Sequence, residues 1–197
     1  MRTGPFVLLA GLMLVANPLV EAPISPPPPR LLPVVALRPA VNAKLMGRLA
    51  PRLHRDEQAR VADAVSSEAS RAGYDPFFIL AIMRVESQFR HAVSERGARG
   101  LMQIRPSTEA WVVGHEADLR GSPLGAGDAA LDVRIAVRYV KRLETRFGSR
   151  ELALIAYNAG PNRLARRVRA GQLPDGWRDY PRAVEREYRR LKLLPAA

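Results

Sequence analysis

The sequence predicts an all-α domain of six or seven helices over residues 56–195. Three observations carry this: apolar residues recur at steps of three and four from Arg55 onward, capping residues and glycines punctuate those runs, and no segment shows the period-two alternation of a half-buried strand.

The chain divides in order. Residues 1–22 read as a secretory signal, with Arg2 as a positive start, Phe6 to Ala16 as the apolar stretch, and Val20-Glu21-Ala22 offering small residues before a cut. A retained membrane anchor is the competing reading, but the run is far shorter than the roughly 20 apolar residues that span a bilayer. Residues 23–55 read as a proline-rich spacer and lead-in, because Pro26 to Pro29, Pro33 and Pro39 remove helix donors and favour an extended backbone. From there Asp56 is expected to cap a helix through Ala72, which Gly73 stops; Ala59, Ala62, Val65 and Ala69 form its apolar stripe. Asp75 then caps a second helix with Pro76 at its first position, where a missing N–H costs nothing. A long helix from Asp128 to Phe147 carries Leu131, Ile135, Tyr139, Leu143 and Phe147, and Gly148 ends it. Shorter helices are expected at Glu151 to Tyr157, Pro161 to Ala170 and Pro181 to Leu194.

Composition narrows the partners. At 197 residues, with 47% hydrophobic and 25% charged, the chain suits one folded domain with appendages. Its 31 Lys and Arg against 19 Asp and Glu leave a net charge of +12, which favours an anionic partner such as nucleic acid, a membrane surface or an acidic wall polymer. The absence of cysteine excludes disulfides, thiolate metal sites and cysteine nucleophiles. His54, His91 and His115 have no metal-ligand spacing, so neither metal nor cofactor is expected.

The run Phe77 to Met83 is apolar all round and marks a central helix. Glu86 continues it and shares a face with Ile79, Ile82 and Met83. A carboxyl group there is poorly hydrated, which raises its pKa and suits it to proton donation near neutral pH. The competing reading is a solvated helix-end glutamate paired with Arg90.

Three ordered motifs bear on the choice: ESQF at Glu86, a serine at Ser94 followed by GARGLMQI from Gly97, and AYNAG from Ala156. Together they resemble the catalytic domain of the soluble lytic transglycosylases, a family with a goose-type lysozyme-like, mostly helical fold. A fourth and weaker motif, a tyrosine seven residues after a proline, matches Pro181 and Tyr188. The resemblance covers residues 70–192. It implies cleavage of the bond between N-acetylmuramic acid and N-acetylglucosamine in peptidoglycan by a single acid, Glu86, which protonates the leaving oxygen and then deprotonates the 6-hydroxyl of the same muramic acid. It also implies substrate contacts by Ser94, Met102, Gln103, Tyr157, Asn158 and Tyr188, with Tyr157 and Asn158 also orienting the glutamate, and Gly97 and Gly100 turning the backbone close past it. A hydrolytic muramidase on the same fold is the alternative, in which case a second acid such as Glu95 or Asp118 is needed.

The chain departs from the family pattern at Arg90-His91, where Asn-Pro is usual, at Arg105, where an apolar residue is common, and at Val184, where an acid is frequent. Arginines load two C-terminal helices, Arg163, Arg166 and Arg167 opposite Leu164 and Val168, then Arg182, Arg186, Arg189 and Arg190. They suit the peptide carboxylates of peptidoglycan. Nucleic acid is not expected, given the signal-like start and the lack of a helix-turn-helix, zinc-finger or aromatic RNA-binding pattern. The sequence thus leads to a monomer in the periplasm or outside the cell, with no membrane span once the signal is cut. Its partners are glycan strands and, given its small size, a secretion apparatus or another cell-envelope assembly.

Overall fold

The computed structural model describes residues 41–194, Ala126 excepted, so the signal-like segment 1–22 and the proline-rich run to residue 40 lie outside the described residues. The described residues form eight α-helices: α1 Ala43–Leu49, α2 Arg55–Ala72, α3 Pro76–Ser87, α4 Pro106–His115, α5 Ala129–Phe147, α6 Arg150–Ala159, α7 Pro161–Arg169 and α8 Asp179–Lys192. Short 3₁₀ turns occupy Ala117–Leu119 and Asp175–Arg178. No strand occurs among the described residues, only two isolated antiparallel bridges, Val93 with Arg99 and Arg99 with Ile104, in the loop between α3 and α4.

Local chemistry sets most boundaries as expected. Asp75 Oδ1 accepts from Phe77 N at 3.0 Å with Pro76 in the first turn, and Asp128 accepts from the amides of Ala130 and Leu131. Gly73 and Gly148 close α2 and α5 in the left-handed conformation that lacks a Cβ penalty. Helix α2 starts one residue before the expected cap: His54 is its N-cap, and Asp56 lies in the first turn, where a carboxylate meets the positive end of the helix dipole.

Two helices exceed the expectation. In the lead-in, Asn42 Oδ1 accepts from Leu45 N at 2.9 Å and opens α1, whose Leu45 and Met46 are buried together with Val41, Ala50 and Leu53. Seven residues between a proline-rich run and Pro51 are too few to show a period in sequence, yet their apolar side chains complete the core. Helix α4 has no side-chain cap and buries only Val112 and Val113, so its pattern was equally faint.

Helix α5 packs against α2 and α6, and α3 lies against α8. Every residue from Phe77 to Met83 is buried, as an all-round apolar helix requires. Between α2 and α5 the buried Arg138 meets the buried Glu68 at 2.8 Å and Asp118 at 2.6 Å. That bidentate pairing removes the cost of an isolated buried charge. The framework matters for chemistry because α3, packed against α2 and α8, carries Asp75 at one end and Glu86 at the other.

Candidate active site

Helix α3 delivers Glu86 in its last turn, above buried Ile79, Ile82 and Met83. The next three residues of the motif build the turn that follows. Ser87 Oγ lies 2.8 Å from the Leu101 carbonyl and 3.2 Å from that of Met83, tying the helix to the loop ahead of α4. Gln88 and Phe89 take positive φ angles of 53° and 61°, an uncommon conformation for side-chain-bearing residues, and Phe89 is held there by burial in the core.

Burial pushes the Glu86 carboxyl from its ordinary value of 4.5 up to about 7. The hydroxyl of Tyr180 donates to Glu86 Oε1 and pulls the other way by stabilising the carboxylate. Arg90 does not pair with Glu86; its guanidinium reaches the Ser87 carbonyl and Gln88 Oε1. The shift brings the group into the neutral range, where a carboxyl can give as well as take a proton.

Glu86 opens into a cavity of about 610 Å³, and four expected residues, Ser94, Gln103, Tyr157 and Asn158, share its walls. Ser94 Oγ accepts from Ala98 N at 3.0 Å, which leaves its own hydrogen for a ligand. Gln103 spends Nε2 on the carbonyls of Ala92 and Gly100, both at 3.0 Å, so its Oε1 is what remains for substrate. Its φ of 48° is a further uncommon backbone value at this site. Tyr157 donates to the Met102 carbonyl at 2.7 Å, so it orients the loop, while Tyr180 orients the glutamate.

Three expectations change. Met102 is fully buried and does not line the cavity; it contributes its carbonyl, because the loop turns its side chain into the core. Tyr188 donates to Asp75 Oδ2 at 2.9 Å and packs edge-on to Phe78, at the opposite end of α3 from Glu86. Helix α8 thus runs antiparallel to α3, with Tyr180 in its first turn beside Glu86 and Tyr188 about 12 Å further along. Gly100, at φ 75°, is hemmed in by Asp132 and not by Glu86: a Cβ there would stand 1.7 Å from Asp132 Oδ2. Gly97 faces open space.

Sequence reasoning missed Tyr180, whose only local signal is its place just before Pro181, and Asp132. The Asp132 carboxyl accepts from Leu101 N at 3.2 Å, and burial pushes it up to about 6. Glu86 is the only carboxylate lining its cavity among the described residues. Of the other acids considered, Glu95 does not line it, and Asp118 is held down at about 2 by its hydrogen bonds to Arg138.

The sequence pattern that defines the transglycosylase SLT domain matches residues 63–178, more than half of the chain. The chain belongs to the transglycosylase SLT domain family. Glu86, Ser94, Gln103, Tyr157 and Asn158 fall inside the matched region, whereas Tyr180 and Tyr188 lie beyond it. Among solved structures, an inactive mutant of the lytic transglycosylase Slt from Pseudomonas aeruginosa is 25% identical over 77% of this SLT chain, with a TM-score of 0.56. The 70 kDa soluble lytic transglycosylase from Escherichia coli (22% identity over 76% of the chain, TM-score 0.54) and a 70-kDa soluble lytic transglycosylase complexed with bulgecin A (21%, 80%, 0.58) share the fold. The SLT chain spans 26%, 31% and 33% of the lengths of these three proteins, respectively.

Proposed function

We propose that this SLT-family protein is a peptidoglycan lytic transglycosylase that breaks the β-1,4 bond from N-acetylmuramic acid to N-acetylglucosamine. The single observation that carries the reading is a lone buried carboxyl, raised to about 7, facing a cavity with no second carboxylate among the described residues. Protonated Glu86 gives its proton to the glycosidic oxygen as the C1–O bond breaks. The 6-hydroxyl of the same muramic acid then closes on C1 and passes its proton to the Glu86 carboxylate. The acid returns to its starting state, no water is consumed, and the product end is a 1,6-anhydro sugar.

Physical chemistry supports this order. Glycosidases usually place two carboxylates across the bond, with substrate-assisted enzymes as exceptions, and one carboxyl with an acetamido neighbour on the sugar fits the exception. An intramolecular hydroxyl also reaches effective concentrations of about 10⁵–10⁸ M when well placed, far above those of water. Tyr180 occupies Oε1 and leaves Oε2 for the substrate. The signal-like residues 1–22 support action in the periplasm or outside the cell, where the substrate lies.

Digestion of purified peptidoglycan, followed by mass analysis and borohydride treatment, tests the reading. New muramic ends are expected in the anhydro form and resistant to reduction. Mostly reducible ends would instead establish a muramidase.

A further inference from the structure

Four arginines, Arg96, Arg105, Arg163 and Arg166, line the cavity that holds Glu86. None of them forms an ion pair among the described residues, whose salt bridges all lie elsewhere. Arg163 rests over the Trp177 ring at 5.0 Å. The neighbouring cavity, of about 860 Å³, shares a wall with this one through Ser107, Thr108 and Tyr139 and provides an internal comparison. It is as rich in cations, but there Arg138 meets Glu68 at 2.8 Å, Arg142 meets Glu116 at 2.6 Å, and Arg71 and Lys141 lie 3.6 Å from Asp118 and Glu144. Only Arg146 in that cavity has no ion pair among the described residues. The fold therefore neutralises its own cations in one cavity and leaves them unneutralised in the other.

Four like charges around one hollow repel one another, and beyond the contact of Arg163 with Trp177 and the place of Arg166 at the C-terminal end of α7 the fold gives them no counter-charge. Arg105 illustrates this, because it is the N-cap residue of α4, where its cation meets the positive end of the helix dipole. None of the four forms a salt bridge with Glu86, whose carboxyl is raised by burial and hydrogen-bonded by the Tyr180 hydroxyl. Neutral sugar hydroxyls and acetamido groups do not call for such a field. Carboxylates do, and the planar guanidinium fork matches them in two-point contacts.

On a glycan strand, the muramic lactyl group is amide-linked wherever a stem peptide is attached, so the carboxylates are those of the peptide, several per stem. A strand stripped of peptides keeps one lactyl carboxylate per muramic acid. We infer that the four arginines bind stem-peptide carboxylates, which makes peptide-bearing strands, and not stripped ones, the substrate of this site. The inference rests on the transglycosylase reading above.

The test uses the full chain carrying Glu86→Gln, so that binding is read without turnover. Three probes are compared: soluble peptide-bearing strands, amidase-stripped strands and neutral chitooligosaccharides. Peptide-bearing strands should bind most tightly, and added salt should weaken them most, because exposed charges are screened within about 8 Å at physiological ionic strength. Adding Arg105→Ala and Arg166→Ala should weaken that binding about 2- to 30-fold, the combined effect of two exposed ion pairs. It should leave chitooligosaccharide binding unchanged. Equal or tighter binding of stripped strands, or no effect of the double substitution on peptide-bearing strands, overturns the inference. Digestion by the unsubstituted chain separates the two readings: anhydro ends formed equally fast from both strands sink the inference alone, and anhydro ends from neither sink the transglycosylase reading beneath it.

Discussion

Replacing Glu86 by Gln should stabilise the fold while abolishing turnover, and the gain should depend on pH in a way that identifies its cause. Below pH 4.5 the carboxyl is protonated in both folded and unfolded chains, so it contributes no pH-dependent penalty. Between 4.5 and about 7 the unfolded chain releases this proton and the folded chain keeps it. The unfolded state then binds fewer protons, so stability falls as pH rises, and above about 7 the penalty is complete and constant. At about 1.4 kcal/mol per pH unit, the interval amounts to about 3 kcal/mol, which glutamine does not incur. For a chain of this size that corresponds to a gain of about 6–12 °C in melting temperature. The assay is thermal or urea unfolding of both proteins at pH 4 and pH 8. Groups such as Asp132 titrate alike in both and cancel in the difference. Near-equal stability is expected at pH 4 and the full gain at pH 8, alongside a loss of at least about 10²–10⁴ in cleavage rate. A difference that stays flat between the two pH values would refute the burial argument, and near-normal cleavage would remove Glu86 from the chemistry.

Other perturbations probe the supports of the site. Tyr180→Phe removes the hydrogen bond that favours the carboxylate, so the fall in activity as pH rises through about 7 should move to higher pH; an unmoved profile would separate Tyr180 from the acid. Gly100→Ala forces a Cβ against the Asp132 carboxylate at a φ of 75°, and urea unfolding should show a loss of about 1–3 kcal/mol together with reduced cleavage. Arg138→Met strands the buried Glu68 carboxylate and should cost about 3–5 kcal/mol in the same assay, most of which returns when Glu68→Met is added.

How far the sequence could be read depended on whether the deciding neighbours were near in the chain. The burial of Glu86 follows from Ile79, Ile82 and Met83 on its own helix, and the caps at Asp75, Gly73, Asp128 and Gly148 act within one turn; all were legible. Tyr180 lies 94 residues from Glu86, so no local pattern could assign it, and the proline-to-tyrosine spacing pointed instead to Tyr188. Motif resemblance placed Met102 at the site without its side-chain direction, which the turn at Gln103 sends into the core. Asp132 occupies a polar position in the first turn of α5, and only the folded loop reveals that its carboxylate holds Leu101.

A link of 94 residues between the acid and its tyrosine also bears on the order in which the site is assembled. Contacts so distant in the chain form only after a long loop has closed, so α8 must dock before the Tyr180 hydroxyl reaches Glu86. Until then the carboxyl has the apolar neighbours of its own helix but lacks the hydrogen bond that favours its charged form. A nascent chain, or one clipped in the segment between α7 and α8, would thus hold the acid without its orienting partner, and the docking of α8 completes the site.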